Sequence, residues 1–195
     1  MIRFYQLFLD WVLEDEDIGL IIKPKKSESL LNLPEIIAQF EKVKKKTGRC
    51  YLVKNSFQKM PISYLKGIDI VVGTGAFFPS SVIECVINGT KGIFYDYSNM
   101  RYHEADLYAW GENKVIFPDI NVMISTLKAY KNDPSTNPHL GDWSANEDEL
   151  DPFRDNKGSE RIGTYIRWLL ENFDKGKSRE EAIGNANKLF AESWG

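Results

Sequence analysis

Short apolar runs alternate along this chain with segments of helical periodicity, and this alternation limits the fold more than any other feature of the sequence. Five runs have the length of strands, at residues 18–22, 50–53, 68–72, 92–95 and 115–117. The first is apolar throughout, as is typical of a strand buried on both faces of a parallel sheet. Strands that alternate with helices predict an α/β fold with an open parallel sheet of about five strands and right-handed crossovers.

Local signals indicate where several helices begin and end. The chain opens with apolar residues at helical spacing, and a second helix is predicted at 34–46, with Pro34 in its first turn and Gly48 as its stop. A third begins at Ser80 and is closed by Gly89, and further helices are predicted at 62–66 and 120–130.

We predict one domain overall, organised in three parts. Residues 1–131 form the α/β core, and residues 132–158 form a long polar loop rich in Asn, Asp, Pro and Gly. A loop of this length in a compact domain is usually functional or mobile. Residues 159–195 form a C-terminal pair of helices that packs on the core, the last of them opened by a capping box at Ser178.

Composition excludes several classes of protein. A chain of 195 residues with 43% hydrophobic residues can build a real core, and it contains no apolar run near the ~20 residues that cross a bilayer. Two cysteines, Cys50 and Cys85, give no disulfide framework, and two histidines, His103 and His139, argue against a zinc site. We therefore expect a soluble cytoplasmic protein without a metal, at most peripherally bound at the inner face of the membrane.

The net charge of −3 hides a basic segment. Residues 23–66 carry eleven basic and three acidic side chains, whereas residues 96–195 have a net charge of −6. A basic segment could attract an anion, nucleic acid among them. Five of these cations, Lys42, Lys44, Lys45, Lys46 and Arg49, cluster at a predicted helix end, where they complement the helix dipole. Because the basic residues are not interleaved with exposed aromatics, we expect no nucleic-acid partner.

Ligands of open α/β sheets bind at the carboxyl ends of the strands. Three segments of this sequence follow predicted strands and carry polar groups. They are Lys23-Pro24-Lys25 after the first strand, Gly73-Thr74-Gly75 with Ser80-Ser81 after the third, and Asp96 after the fourth.

The second segment has the character of a phosphate site. Gly73 and Gly75 are predicted to turn the chain and to allow close approach of a ligand. Ser80 and Ser81 come at the start of a helix, where free N–H groups and hydroxyls suit a phosphate or diphosphate. The alternative is that one serine is only the N-cap. The sequence contains neither GxGxxG nor GxxxxGK[ST], so the common dinucleotide and P-loop motifs are absent.

Glu84 follows one turn later and could accept hydrogen bonds from sugar hydroxyls, or could simply complement the helix dipole. Asp96 and His103 are further candidates, although His103 is by default a polar surface residue. We identify no catalytic residue.

This order of elements resembles the C-terminal, donor-binding domain of GT-B glycosyltransferases of bacterial surface and capsular polysaccharide biosynthesis. The similarity is greatest to enzymes that use CMP-sugars, such as Kdo transferases and sialyltransferases, and to CDP-glycerol transferases. It spans roughly residues 15–195 and includes Asp151-Pro152-Phe153-Arg154-Asp155 and Glu160-Arg161-Ile162-Gly163, which look like the end of surface-carbohydrate biosynthesis proteins. The resemblance implies a Rossmann-like domain, one half of a GT-B fold.

The resemblance also implies roles for individual residues. Lys23-Pro24 stands where the family has a His-Pro pair that contacts the donor nucleotide, and Ser80 and Ser81 match the pair that holds its phosphate. Glu84, five residues before a glycine, matches the glutamate that binds ribose.

The implied ligand is a nucleotide sugar, CMP- or CDP-linked, that serves as substrate, with no other cofactor. The acceptor-binding half would be an N-terminal domain or a partner chain, and a homo-oligomer is compatible with this arrangement. The alternative is a non-catalytic α/β interaction subunit or remnant that needs a partner chain.

Overall fold

The structure is a computed structural model that describes residues 1–25, 30–54, 60–75, 80–99 and 105–195. The chain forms two compact units, Met1–Leu150 and Asp151–Gly195. No helix in these described ranges is long and apolar enough to cross a bilayer.

The first unit alternates helices and strands, as the sequence predicts. Its elements are α1 (Ile2–Glu14), β1 (Leu20–Ile22), α2 (Pro34–Thr47), β2 (Cys50–Leu52), β3 (Ile70–Gly75), α3 (Ser80–Val86), β4 (Lys91–Asp96), α4 (Ala105–Gly111), β5 (Ile116–Phe117), α5 (Ile120–Asn132) and α6 (Glu147–Leu150). Short 3₁₀ turns lie at Pro61–Tyr64, Pro134–Thr136 and Ser144–Asn146. The second unit consists of α7 (Gly158–Asp174) and α8 (Arg179–Trp194).

All five strands pair in parallel, so the prediction of an α/β fold is confirmed. The prediction of one Rossmann-like sheet of about five strands is wrong, because the described residues form two sheets, β1–β2 and β3–β4–β5. The short length of β1 gives a physical reason. The carbonyl of Ile18 accepts a hydrogen bond from a side chain, and Pro24 has no N–H to donate. The pairing of β1 is therefore limited at both ends, and the strand of three residues offers only a short edge to a second ladder.

The two-stranded sheet is covered on one face only. Ile22 and Cys50 are buried against α2, whereas Ile21 and Tyr51 lie side by side on the other face and are 40% and 50% exposed. The prediction that the first strand is buried on both faces is therefore wrong for Ile21.

The three-stranded sheet is covered on both faces, and successive residues of its strands alternate between them. Ile70 and Val72 belong to the core that α1 and α5 build on one face. Val71 packs with α3 on the other face, where its partner in the ladder is Gly92. A Cβ at Gly92 would lie 2.5 Å from a methyl carbon of Val86, so the absence of a side chain allows α3 to approach β4 closely.

The predicted helix stops are confirmed. Gly48 follows α2 with φ +70° and donates its N–H to the carbonyl of Lys44 at 2.8 Å. Gly89 follows α3 with φ +85°, and the N–H of Thr90 reaches back to the carbonyl of Cys85, as in a Schellman motif. Both positions need the left-handed backbone that glycine adopts without strain.

Residues 132–158 are more ordered than the predicted polar loop. They contain α6 and two 3₁₀ turns, and they bury Leu140 and Trp143. The indole N–H of Trp143 donates to the carbonyl of Gly92 at 2.7 Å, and the ammonium of Lys91 donates to the carbonyl of Leu140 at 3.0 Å. These contacts anchor the segment to the start of β4.

Arg49 joins the first three elements of the chain. Its guanidinium donates to the carbonyls of Val12, Asp15 and Ile18, which lie at the end of α1 and before β1. The sequence places this cation at the end of α2, but in the structure it satisfies the orphan carbonyls of a different helix. Its own carbonyl accepts from the N–H of Leu20 at 2.9 Å, which starts the pairing of β1 with β2.

The second unit is a helical hairpin. Ser178 and Glu181 form the predicted capping box at the start of α8. The hydroxyl of Tyr165 donates to Asn187 at 2.8 Å, and the ring of Trp168 packs on that of Trp194. The helices thus hold each other through paired polar and aromatic contacts.

We expect Gly92→Ala to destabilise the first unit by about 1–3 kcal/mol, because the new methyl group overpacks the contact between α3 and β4. Urea denaturation followed by circular dichroism measures the change. Gly19→Ala is the matched control, since its Cβ would make only an ordinary contact of 3.7 Å. Equal stability of the two variants would contradict the packing argument.

We expect Arg49→Met to destabilise the protein by about 3 kcal/mol, because three partly buried carbonyls lose a charged donor. Lys46→Met, which removes an exposed cation from the end of α2, should change the free energy of unfolding by no more than about 0.5 kcal/mol. The same denaturation experiment compares them, and a similar small loss in both would show that Arg49 acts only as a surface charge.

Candidate functional site

The segment that follows β1 carries the first group of predicted site residues. Pro24 is buried, Lys23 is half-buried and Lys25 is exposed. The ammonium of Lys23 forms no ion pair with any residue that the structure describes. A half-buried cation without a partner is available to an anionic ligand.

The carboxyl ends of β3 and β4 lie level with each other. Gly75 and Asp96, the last residues of these strands, are partners in the parallel ladder. The prediction that residues 73–75 turn the chain is wrong, because Gly73, Thr74 and Gly75 all continue β3. The ladder with β4 keeps them extended, so the chain leaves the sheet only after Gly75.

Thr74 lies on the opposite face of the sheet from α3. Its ladder partner is Tyr95, whose ring stacks on Phe4 of α1 at a centroid distance of 5.9 Å. The hydroxyl of Thr74 is buried and has no hydrogen-bond partner among the described residues. Thr74 therefore lies on the face of the sheet opposite to α3, the helix that carries Ser80 and Ser81, although the sequence pattern groups all three residues in one site.

Helix α3 carries the next three predicted residues. Ser80 is exposed and Ser81 is half-buried at its first two described positions. Glu84 follows one turn later, and one of its carboxylate oxygens, Oε2, is buried without a donor in the described part of the chain. A buried acceptor of this kind is rare in folded proteins and needs an explanation.

Lys23 and Glu84 both act on the thiol of Cys85. Burial, and to a lesser extent the negative charge of Glu84, raise the pKa of this thiol to about 11, while the positive charge of Lys23 acts in the opposite direction. The charges of Lys23 and Glu84 therefore both contribute to the electrostatic environment of this thiol.

Asp96 has a structural role in the turn after β4. One carboxylate oxygen accepts from the N–H and hydroxyl of Ser98 and from the N–H of Asn99, and the other accepts from the hydroxyl of Tyr108 at 2.8 Å. Asp96 is almost fully buried. Its hydrogen bonds fix the start of the segment that leads towards His103, which itself lies outside the described residues.

Tyr64 belongs to this region, although the sequence gives no sign of it. It ends the 3₁₀ turn Pro61–Tyr64, which packs against α3. Its hydroxyl is buried and has no partner among the residues described. The sequence predicts a short helix here, but nothing in the local pattern distinguishes this tyrosine from an ordinary surface or core residue.

The groups around α3 suit the binding of a ligand that carries both negative charge and hydroxyl groups. Lys23 offers a cation, the two serines offer hydroxyls, and Glu84 offers an acceptor that still needs a donor. Within the described ranges no three His, Cys, Asp or Glu side chains come together as metal ligands.

Comparison with models of known families, with curated proteins and with solved structures finds no match to this chain.

The approach of Lys23 and Glu84 to Cys85 can be tested by titration. We expect Glu84→Gln to lower the pKa of Cys85 and Lys23→Ala to raise it, since each change removes one of the two charges. The ¹³Cβ resonance of labelled cysteine reports the titration, and Cys50→Ala assigns the two signals. Lys54→Ala, an exposed lysine after β2, is the control and should leave the pKa of Cys85 unchanged.

The same thiol predicts a pH dependence of stability. The unfolded chain ionises this thiol near pH 9, whereas the folded protein holds its pKa at about 11. Folding is therefore favoured below pH 9, and this contribution is lost as the pH rises from 9 to 11. If the pKa of Cys85 is the same in the unmodified chain and in the Lys23→Ala, Glu84→Gln and Lys54→Ala variants, the charges of Lys23 and Glu84 do not act on this thiol.

Proposed function

We propose that this chain is the donor nucleotide-sugar-binding domain of a glycosyltransferase of surface polysaccharide biosynthesis. The observation that supports this best is the buried carboxylate oxygen of Glu84, which has no donor among the described residues and lies on the same helix as Ser80 and Ser81. A hydroxyl of the ligand would supply that donor.

The anionic part of the ligand would bind at Lys23, Ser80 and Ser81. Transfer of a sugar from a nucleotide leaves a phosphate or diphosphate, and negative charge on this leaving group grows in the transition state. A fixed ammonium and hydroxyl donors directed at that charge lower the barrier. Pro24, which is buried, holds the backbone of Lys23 in place.

The hydroxylated part of the ligand would bind at Glu84. A buried acceptor that lacks a donor costs about 1–3 kcal/mol, and a ribose or sugar hydroxyl supplies that donor. An inorganic anion alone would leave this carboxylate unsatisfied and would be repelled by it. A neutral sugar alone would leave Lys23 unused, so a nucleotide sugar, CMP- or CDP-linked, fits the site better than either.

The proposal extends to the architecture of the enzyme. The first unit would serve as one Rossmann-like half of a GT-B fold, and the acceptor with its catalytic base would come from an N-terminal domain or a partner chain. Such a domain would work in the cytoplasm, at the inner face of the membrane, without a metal or further cofactor.

One observation favours a second candidate, a non-catalytic interaction subunit. Ile21 and Tyr51 form an apolar pair on the open face of the two-stranded sheet. A face of this kind favours association with another protein surface. A stable complex with a partner chain that ignores every nucleotide would support this alternative.

Calorimetric titration of the full chain with CMP, CDP, UDP and GDP tests the leading proposal. We expect at least one of these nucleotides to bind, and the double variant Ser80→Ala/Ser81→Ala to weaken its binding about tenfold, because two hydroxyl donors to phosphate are lost. Lys23→Ala should weaken it by a similar factor.

Lys54→Ala is the matched control, since it removes an exposed lysine from the same basic segment. It should bind as tightly as the unmodified chain. Binding that the serine and Lys23 variants leave unchanged would overturn the assignment of the site, and an absence of binding for all four nucleotides would overturn the function.

A further inference from the structure

We propose that the hydroxyl of Tyr64 acts together with Glu84 to recognise the vicinal hydroxyls of the ribose. This inference rests on the proposed function, because it names a further binding residue of the same site. It makes the site selective for ribonucleotides over their deoxy counterparts.

The first support is the burial of the Tyr64 hydroxyl. Buried side-chain hydroxyls almost always have a hydrogen-bond partner, yet this one has none among the described residues. Phenylalanine would fill the same space without leaving a polar group unsatisfied. The tyrosine at this position therefore carries a hydroxyl that its described surroundings leave without a partner.

The second support is the position of Tyr64. The 3₁₀ turn that it ends packs against α3, the helix that carries Glu84. Each of these two packed elements thus contributes one buried polar atom without a partner. Thr74, which also has an unpartnered hydroxyl, faces the α1 side of the sheet and takes no part.

The third support is the chemistry of the two groups. An ionised Glu84 can only accept hydrogen bonds, whereas the hydroxyl of Tyr64 can donate and accept. A vicinal diol can donate from one hydroxyl to the carboxylate and accept at the other from the tyrosine. A phosphate oxygen would satisfy Tyr64 alone, because a carboxylate repels it.

The remaining unpartnered polar atoms belong to other elements. Trp110 lies on α4, where its ring packs edge-on against the ring of Trp143 at a centroid distance of 5.5 Å. The Nε of Arg161 belongs to the second unit, where the guanidinium stacks on Phe153 and pairs with Asp155.

The test compares ribose and dideoxyribose forms of the same nucleotides. Calorimetry measures binding of CMP, CDP, UDP and GDP, and of their 2′,3′-dideoxy forms, to the unmodified chain and to Tyr64→Phe and Glu84→Gln. For the nucleotide that binds, we expect Tyr64→Phe to weaken the ribose form about three- to tenfold and the dideoxy form by less than about twofold.

Tyr51→Phe is the matched control, because it removes an exposed hydroxyl from β2 and should change neither affinity. Thermal unfolding of each variant checks that the fold is kept. A Tyr64→Phe variant that binds both forms as the unmodified chain does would overturn the inference and leave the proposed function standing. An equal loss for both forms would also overturn it, whereas no binding of any ribonucleotide to the unmodified chain would overturn the proposed function.

Discussion

The hydrogen bonds of Arg49 hold together the part of the fold on which the candidate site depends. This one guanidinium satisfies three carbonyls between the end of α1 and the start of β1, while its backbone starts the pairing of β1 with β2. Helix α1 contributes to two hydrophobic clusters of the first unit, one with the three-stranded sheet and one with the two-stranded sheet. The contacts of Arg49 therefore hold β1, and Lys23 directly after it, to a helix that packs on both sheets.

The site itself follows from the close packing of α3 on the three-stranded sheet. Gly92 lets the helix approach β4, and the stop at Gly89 ends it after two turns. Its inner side then buries Cys85, while Glu84 retains one buried oxygen without a donor. The pKa of the thiol is raised mainly by this burial, with smaller and opposite contributions from the charges of Glu84 and Lys23.

The sequence predicts local structure here better than it predicts pairing. The five strands and the stops at Gly48 and Gly89 follow from apolar runs and from glycine at helix ends, which depend on neighbouring residues only. The division into two sheets depends on the short length of β1, which is limited by hydrogen bonds to distant residues that a sequence pattern does not show. Gly73 and Gly75 have the sequence pattern of a turn, and only the ladder with β4 shows that they continue a strand. Arg49 and Tyr64 act on segments distant in sequence, so local patterns give no sign of their partners.

Two carboxylates near the strand ends differ in how far their own chain satisfies them with hydrogen bonds. This difference distinguishes a structural carboxylate from a candidate binding group. Asp96 and Glu84 are both acidic, both follow or adjoin the sheet, and the sequence treats both as candidates. Asp96 accepts four hydrogen bonds from its own chain, so a ligand would have to displace a donor to reach it. Glu84 has a buried oxygen that its described surroundings leave without a donor. Because an unsatisfied buried acceptor opposes folding, Glu84 is the carboxylate that a donor from outside the chain would stabilise, whereas Asp96 is already satisfied.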